Sequence, residues 1–130
     1  MDSLKVKGSD KIPEIVFDAE SGTMHITGRS IPENAREFYA PLLSWLDSYY
    51  DIALTNSKLT IGLDYFNTSS SKCLLDVLKR MERINGKDNC NATIVWQYEE
   101  EDEDMLEAGK DYAAMIDVPF EMEEVPDYRG

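Results

Sequence analysis

Residues 57–86, SKLTIGLDYFNTSSSKCLLDVLKRMERING, constrain the fold of this chain more than any other stretch. Leu59, Ile61 and Leu63 alternate with Lys58, Thr60 and Gly62, the two-residue period of a strand. Cys73, Leu74, Val77, Leu78, Met81 and Ile84 then recur at helical spacing. Asn85-Gly86 closes the run, and Gly just past the last apolar turn is a helix stop. Strand therefore runs straight into helix, with Asn67-Thr68-Ser69-Ser70-Ser71 at the junction.

The first turn of a helix has unpaired N–H groups and a partial positive charge. Asn, Ser and Thr satisfy those donors as caps, and an anion is also stabilised there. A phosphoryl group on one of these hydroxyls adds about −1.5 to −2 charges beside a favourable dipole, so the domain could carry it without unfolding. From the junction alone, the hydroxyl cluster reads first as a simple polar cap and second as a modification site.

The flanking stretches extend the pattern in both directions. Leu4 and Val6 alternate with lysines, as in a short edge strand. Glu14–Asp18 and Thr23–Gly28, separated by Ala19-Glu20-Ser21-Gly22, read as a hairpin. Pro32-Glu33-Asn34 precedes an apolar-periodic stretch and signals a helix start. That helix is expected from about Glu33 to Tyr50, with Phe38, Leu42, Trp45, Leu46 and Tyr49 on one side and a kink or late start at Pro41. Asn91–Tyr98 is rich in β-branched and aromatic residues and reads as a further strand. Strand, helix, strand implies a right-handed parallel crossover.

Six consecutive acids, Glu99 to Asp104, precede Met105, Leu106, Gly109, Tyr112, Ala113 and Ile116. Acids are stabilised at a helix N-terminus, so the run reads first as a helix start and second as a dock for a basic partner. It lacks the Gly turn and alternating spacing of a calcium loop. Val118–Met122 alternates as a last edge strand, and residues 126–130 are expected to fray. The expected fold is one α/β domain over residues 1–130, a mixed four- to five-stranded sheet with helices packed on it.

A formal net charge of −13 argues against nucleic acid and anionic membrane surfaces and favours a partner with a basic surface. No run of eighteen apolar residues and no apolar signal core appear, and Cys73 and Cys90 read as free thiols, so a cytoplasmic location is expected. His25 is the only histidine and has no cysteine near it in sequence, so no metal site or cofactor is expected. Asp64 at a strand end faintly echoes aspartyl phosphotransferases, but those need an acid two residues on, where Phe66 stands. No nucleophile–base relay or Gly-rich phosphate loop is present, so the chain does not read as an enzyme.

The element order, with a hydroxyl opening the helix after the third main strand, looks like the STAS or anti-sigma-factor-antagonist architecture. More specifically, the chain resembles the SiaC family of regulatory phosphoproteins. The matching pieces are Ile12-Pro13-Glu14-Ile15 with Phe17-Asp18, Gly28 to Asn34, Tyr39-Ala40-Pro41-Leu42 with Trp45-Leu46, Asp64 to Lys72, Trp96-Gln97-Tyr98, and the acidic run into Met105–Gly109. The resemblance implies phosphorylation of Thr68 by a dedicated kinase, with Ser69 and Ser70 as alternatives. It also implies removal by a PP2C-type phosphatase, and binding and activation of a diguanylate cyclase by the unphosphorylated form, in cyclic-di-GMP signalling. A partner interface formed by Pro32, Glu33, Asn34, Tyr65, Phe66, Asn67, Ser71 and Lys72 is expected around that hydroxyl. The competing reading is a STAS-type module that binds a nucleotide or other small molecule, or a generic protein-interaction domain, in which Thr68 is only a cap.

Overall fold

The computed structural model describes residues 1–126, so the expected frayed tail lies outside the described residues except for Pro126. The elements are β1 (Leu4–Val6), β2 (Glu14–Asp18), β3 (Thr23–Ser30), α1 (Ala35–Ile52), β4 (Asn56–Phe66), α2 (Thr68–Asn85), β5 (Asn91–Glu99), α3 (Glu103–Met115) and β6 (Phe120–Val125). They build one mixed sheet in the order β1-β2-β3-β4-β5-β6. The first three strands are antiparallel neighbours, and β3, β4, β5 and β6 run parallel to one another.

The sheet has six strands, not four to five. The extra one is β1, whose three residues pair antiparallel with Ile15–Phe17. The alternation of Leu4 and Val6 with lysines marks this edge strand, but three residues are too short to pair on their own, and their place in the sheet depends on β2 already being there. The last strand lies further along than expected, at Phe120–Val125, because its hydrogen bonds follow the β5 register from Ile94 to Glu99.

Each parallel crossover places the new strand beside the previous one in the same direction. Right-handed crossovers then put all three helices on one face of the sheet. Ile15, Phe17, Met24, Ile26, Leu59, Ile61, Leu63, Ile94 and Trp96 point into that face and are buried. The opposite face carries Glu14, His25, Lys58, Glu121 and Glu123, all exposed. Antiparallel sheets commonly keep one face in water, and here the parallel strands also leave that face without helices, although Thr60 and Val95 at its centre are buried.

All three helices start on an Asn or Asp cap. The Asn34, Asn67 and Asp102 side chains accept from the N–H groups of Glu37, Ser70 and Met105. The acidic run thus ends β5, turns through Glu100 and Glu101, and supplies the α3 cap and first turn. The helix α1 begins at Ala35, after its cap, and continues through Pro41 instead of starting beyond it. Its inward stripe is Ala35, Tyr39, Leu42, Trp45, Leu46 and Tyr49, with Tyr39 fully buried and Phe38 only partly so. Leu42, Trp45, Leu46 and Tyr49 face inward as expected, and Tyr39 takes the inward place expected of Phe38.

Candidate functional site

The end of the sheet where β3 and β4 finish is where both α1 and α2 begin. Open α/β sheets place their sites at the carboxyl ends of parallel strands. Between the two helix starts lies a groove of about 550 Å³, lined among others by Glu33, Asn34, Arg36, Tyr39, Thr68, Ser69, Lys72, Cys73 and Asp76. The hydroxyl-rich junction and the Pro-Glu-Asn corner, more than thirty positions apart in the chain, therefore face each other.

A buried hydrogen-bond chain holds the floor of this groove. Tyr39 Oη lies 2.7 Å from Ser30 Oγ, Ser30 Oγ donates to Ser70 Oγ at 2.9 Å, and Ser70 Oγ lies 3.2 Å from the Ser30 carbonyl. The Asn67 N–H donates to the same Ser30 carbonyl at 3.0 Å. One residue of β3 thus ties the start of α2 to the second turn of α1. Ser70 is fully buried in this chain, whereas Thr68 and Ser69 are exposed on the rim. Ser71 is half-buried, with its hydroxyl on the Thr68 carbonyl at 2.6 Å.

The interface residues expected from sequence do not form one patch. Glu33, Asn34 and Lys72 are exposed around the Thr68 groove, while Pro32 is buried and does not line it. Tyr65 and Phe66 instead line a separate groove with Asp64, Asp102, Asp104, Met105 and Ala108, between β4 and α3. The cause is a register shift. Gly28 pairs with Leu63 but Arg29 pairs with Tyr65, so Asp64 is an extra residue in β4. A bulge reverses the alternation beyond it. Phe66 consequently turns toward Trp96 and Tyr112, and Tyr65 is left 54% exposed. Asp64 pairs with Arg29 at 3.4 Å across the same bulge.

Sequence reasoning missed Arg36, Tyr39, Cys73 and Asp76 as groove residues. Counting in fours from Thr68 reaches Lys72 and Asp76 on one helix stripe, which would have found part of the wall. Arg36 and Tyr39 belong to the other helix, and no local signal links them to Thr68. Among the described residues no ion pair involves Glu33, Arg36, Lys72 or Asp76, so the groove carries two cations and two carboxylates on its rim. Cys73 is half-buried, and burial pushes its thiol above the ordinary range. No cluster of His, Cys, Asp and Glu suited to a metal occurs among the described residues, and none of their helices is long and apolar enough to cross a membrane.

Burial pushes the Tyr39 phenol up to about 12, the Ser30 hydroxyl opposing the rise. Burial raises Tyr112 as well. An unfolded tyrosine ionises near pH 10. The neutral phenol is therefore favoured in the folded state; its stabilisation is complete below pH 10 and is lost as pH rises through about 12. We expect wild-type stability in urea to fall by about 2–3 kcal/mol more than that of Tyr39→Phe between pH 9 and pH 12. Parallel stability–pH curves for the two proteins would show that Tyr39 is not held neutral by the fold.

The model of the SiaC family, described as regulatory phosphoproteins, matches residues 6–125. An uncharacterized protein of Pseudomonas aeruginosa (strain UCBPP-PA14) is 26% identical over 120 residues, covering 92% of this chain and 94% of its own length. The structure of SiaC of Pseudomonas aeruginosa superposes with a TM-score of 0.87 at 24% identity, over 96% of this chain and 100% of that one. A second structure, of the diguanylate cyclase SiaD in complex with its activator SiaC from the same organism, matches with a TM-score of 0.85 at 24% identity, over 94% of this chain and 99% of the matching chain.

Proposed function

We propose a function from the premise that this chain belongs to the SiaC family of regulatory phosphoproteins. The protein is a non-enzymatic switch: its unphosphorylated form binds and activates a diguanylate cyclase, and phosphorylation of Thr68 releases that partner. A cognate kinase adds the phosphoryl group and a PP2C-type phosphatase removes it. The complex of SiaD with its activator SiaC supports the choice of partner class, since that activator shares this fold.

The observation that carries the reading is the placement of Thr68. It is the first residue of α2, exposed, on the rim of a groove whose opposite wall is the Glu33–Asn34 corner. A kinase needs a hydroxyl it can reach. Ser70 is closed to it by full burial and by two hydrogen bonds, so Thr68 and the adjacent exposed Ser69 are the reachable pair. A partner seated over the groove would desolvate an added phosphate, and taking such a charge out of water costs several kcal/mol.

The test is cyclic-di-GMP synthesis by the host's diguanylate cyclase with purified protein added in three forms: bare, Thr68→Ala, and phosphorylated at Thr68. Bare protein and Thr68→Ala should raise synthesis to the same level, and the phosphorylated form should leave it near basal. Equal activation by all three sinks the switch. No activation by any form removes the cyclase as partner.

A further inference from the structure

The two stripes that face each other across the Thr68 groove are complementary in size and charge. On α2, Thr68, Lys72 and Asp76 succeed one another at helical spacing; on α1, Arg36, Ala40 and Leu43 do the same. Ala40, small and exposed, lines the groove between them. Arg36 is exposed, sits at the second position of α1, and makes no ion pair among the described residues. Its charge is nevertheless felt on the far wall: burial and Asp76 raise the Cys73 thiol, and Arg36 opposes them. The Tyr39–Ser30–Ser70 chain fixes the spacing, because Tyr39 lies one turn beyond Arg36 and Ser70 two residues beyond Thr68.

We propose that Arg36 is the receptor for the phosphoryl group on Thr68: its guanidinium reaches across from α1, binds the phosphate, and closes the groove by bridging the two helix starts. This rests on Thr68 being the modified hydroxyl. A guanidinium presents a planar fork of donors that matches phosphate oxygens two at a time, which the Lys72 ammonium does not. Lys72 also lies on the same helix as Thr68, so a contact from it would bridge nothing. In the bare protein Arg36 and Lys72 balance Glu33 and Asp76. A phosphate of about −2 charge breaks that balance and makes the free guanidinium its strongest available partner. The modification then acts in two ways at once, by adding charge to the rim and by filling the groove from within.

The experiment uses the full chain with phosphothreonine genetically encoded at position 68, so that it depends on neither kinase nor cyclase. The second ionisation of the phosphate is followed by ³¹P NMR. A nearby cation favours the dianion and lowers its midpoint, while Glu33 and Asp76 raise it equally in every variant. In the wild-type background the midpoint should lie at least about half a pH unit below that of Arg36→Gln, with Arg36→Lys in between. Lys72→Gln should retain most of the wild-type shift. The melting temperature should rise on phosphorylation in the wild-type background and not in Arg36→Gln, whose bare form should melt with bare wild type. The proposal is overturned if Arg36→Gln leaves the midpoint unchanged, or if Lys72→Gln alone abolishes the shift. Failure here leaves the cyclase assay standing, and failure of the cyclase assay leaves this titration standing.

Discussion

Trp96→Ala should destabilise the protein by about 3–5 kcal/mol, the range for removing a large aromatic side chain from a packed core. Trp96 is fully buried on β5 beneath α3. Its ring meets Tyr112 with centroids 5.4 Å apart, Phe66 edge-on at 6.1 Å and Phe120 at 6.3 Å. Its indole N–H donates to the Met105 carbonyl at 3.0 Å. One side chain therefore joins β4, β5, α3 and β6. Truncation leaves a cavity that three rings border and removes the indole's hydrogen bond to α3, a bond that contributes about 0.5–1.5 kcal/mol. Gly109 packs directly on the same ring, and a Cβ added there would stand 2.5 Å from Trp96 Cδ1. Gly109→Ala should therefore also destabilise, by overpacking. Urea unfolding with a two-state fit measures both. A loss below about 1 kcal/mol for Trp96→Ala would mean that α3 is not anchored through this residue.

Phosphorylation of Thr68 should separate stability from binding. Within the proposed function, the phosphorylated protein melts no lower than the bare one, yet binds the cyclase at least about a hundredfold more weakly. The first half follows from position. A negative charge in the first turn of α2 interacts favourably with the helix dipole, contributing about 0.3–1 kcal/mol. The cap itself is untouched, because Asn67 and not Thr68 accepts from the Ser70 N–H. The second half follows from desolvation at a contact, where a loss of about 2.7 kcal/mol already corresponds to a hundredfold. Thr68→Asp, with a single charge on a shorter arm, should move binding in the same direction by less. Calorimetric titration of the cyclase with each form, beside a thermal melt, reads both quantities. A phosphorylated protein that melts well below wild type would mean that the modification acts by loosening the domain.

Much of the information that lay within one or two turns of chain was legible, though the inward place of Tyr39 and the bounds of β6 were not. The alternation of Leu59, Ile61 and Leu63, the helical recurrence from Leu74 to Ile84, and the Gly86 stop all stand where the sequence puts them. The acidic run reads correctly as the start of α3, since helix caps and first-turn charges act within the segment that carries them. The hydroxyl cluster is likewise at the α2 start, with Asn67 as its cap.

The partition of that cluster was not legible. Thr68, Ser69 and Ser70 are chemically near-equivalent in sequence, and only the packing of α2 against β3 buries Ser70 on Ser30 while leaving Thr68 on the rim. Arg36 and Tyr39 reach the same groove because two parallel crossovers set α1 and α2 side by side, a relation between segments more than thirty residues apart. The extra residue at Asp64 sends Tyr65 to solvent and Phe66 inward, against the alternation of the strand that contains them. Local hydrogen bonds and apolar periodicity are properties of neighbours in the chain, so they can be read from it one segment at a time. Exposure, register and the meeting of two helix starts depend on which segments lie adjacent in space, and no single segment contains that information.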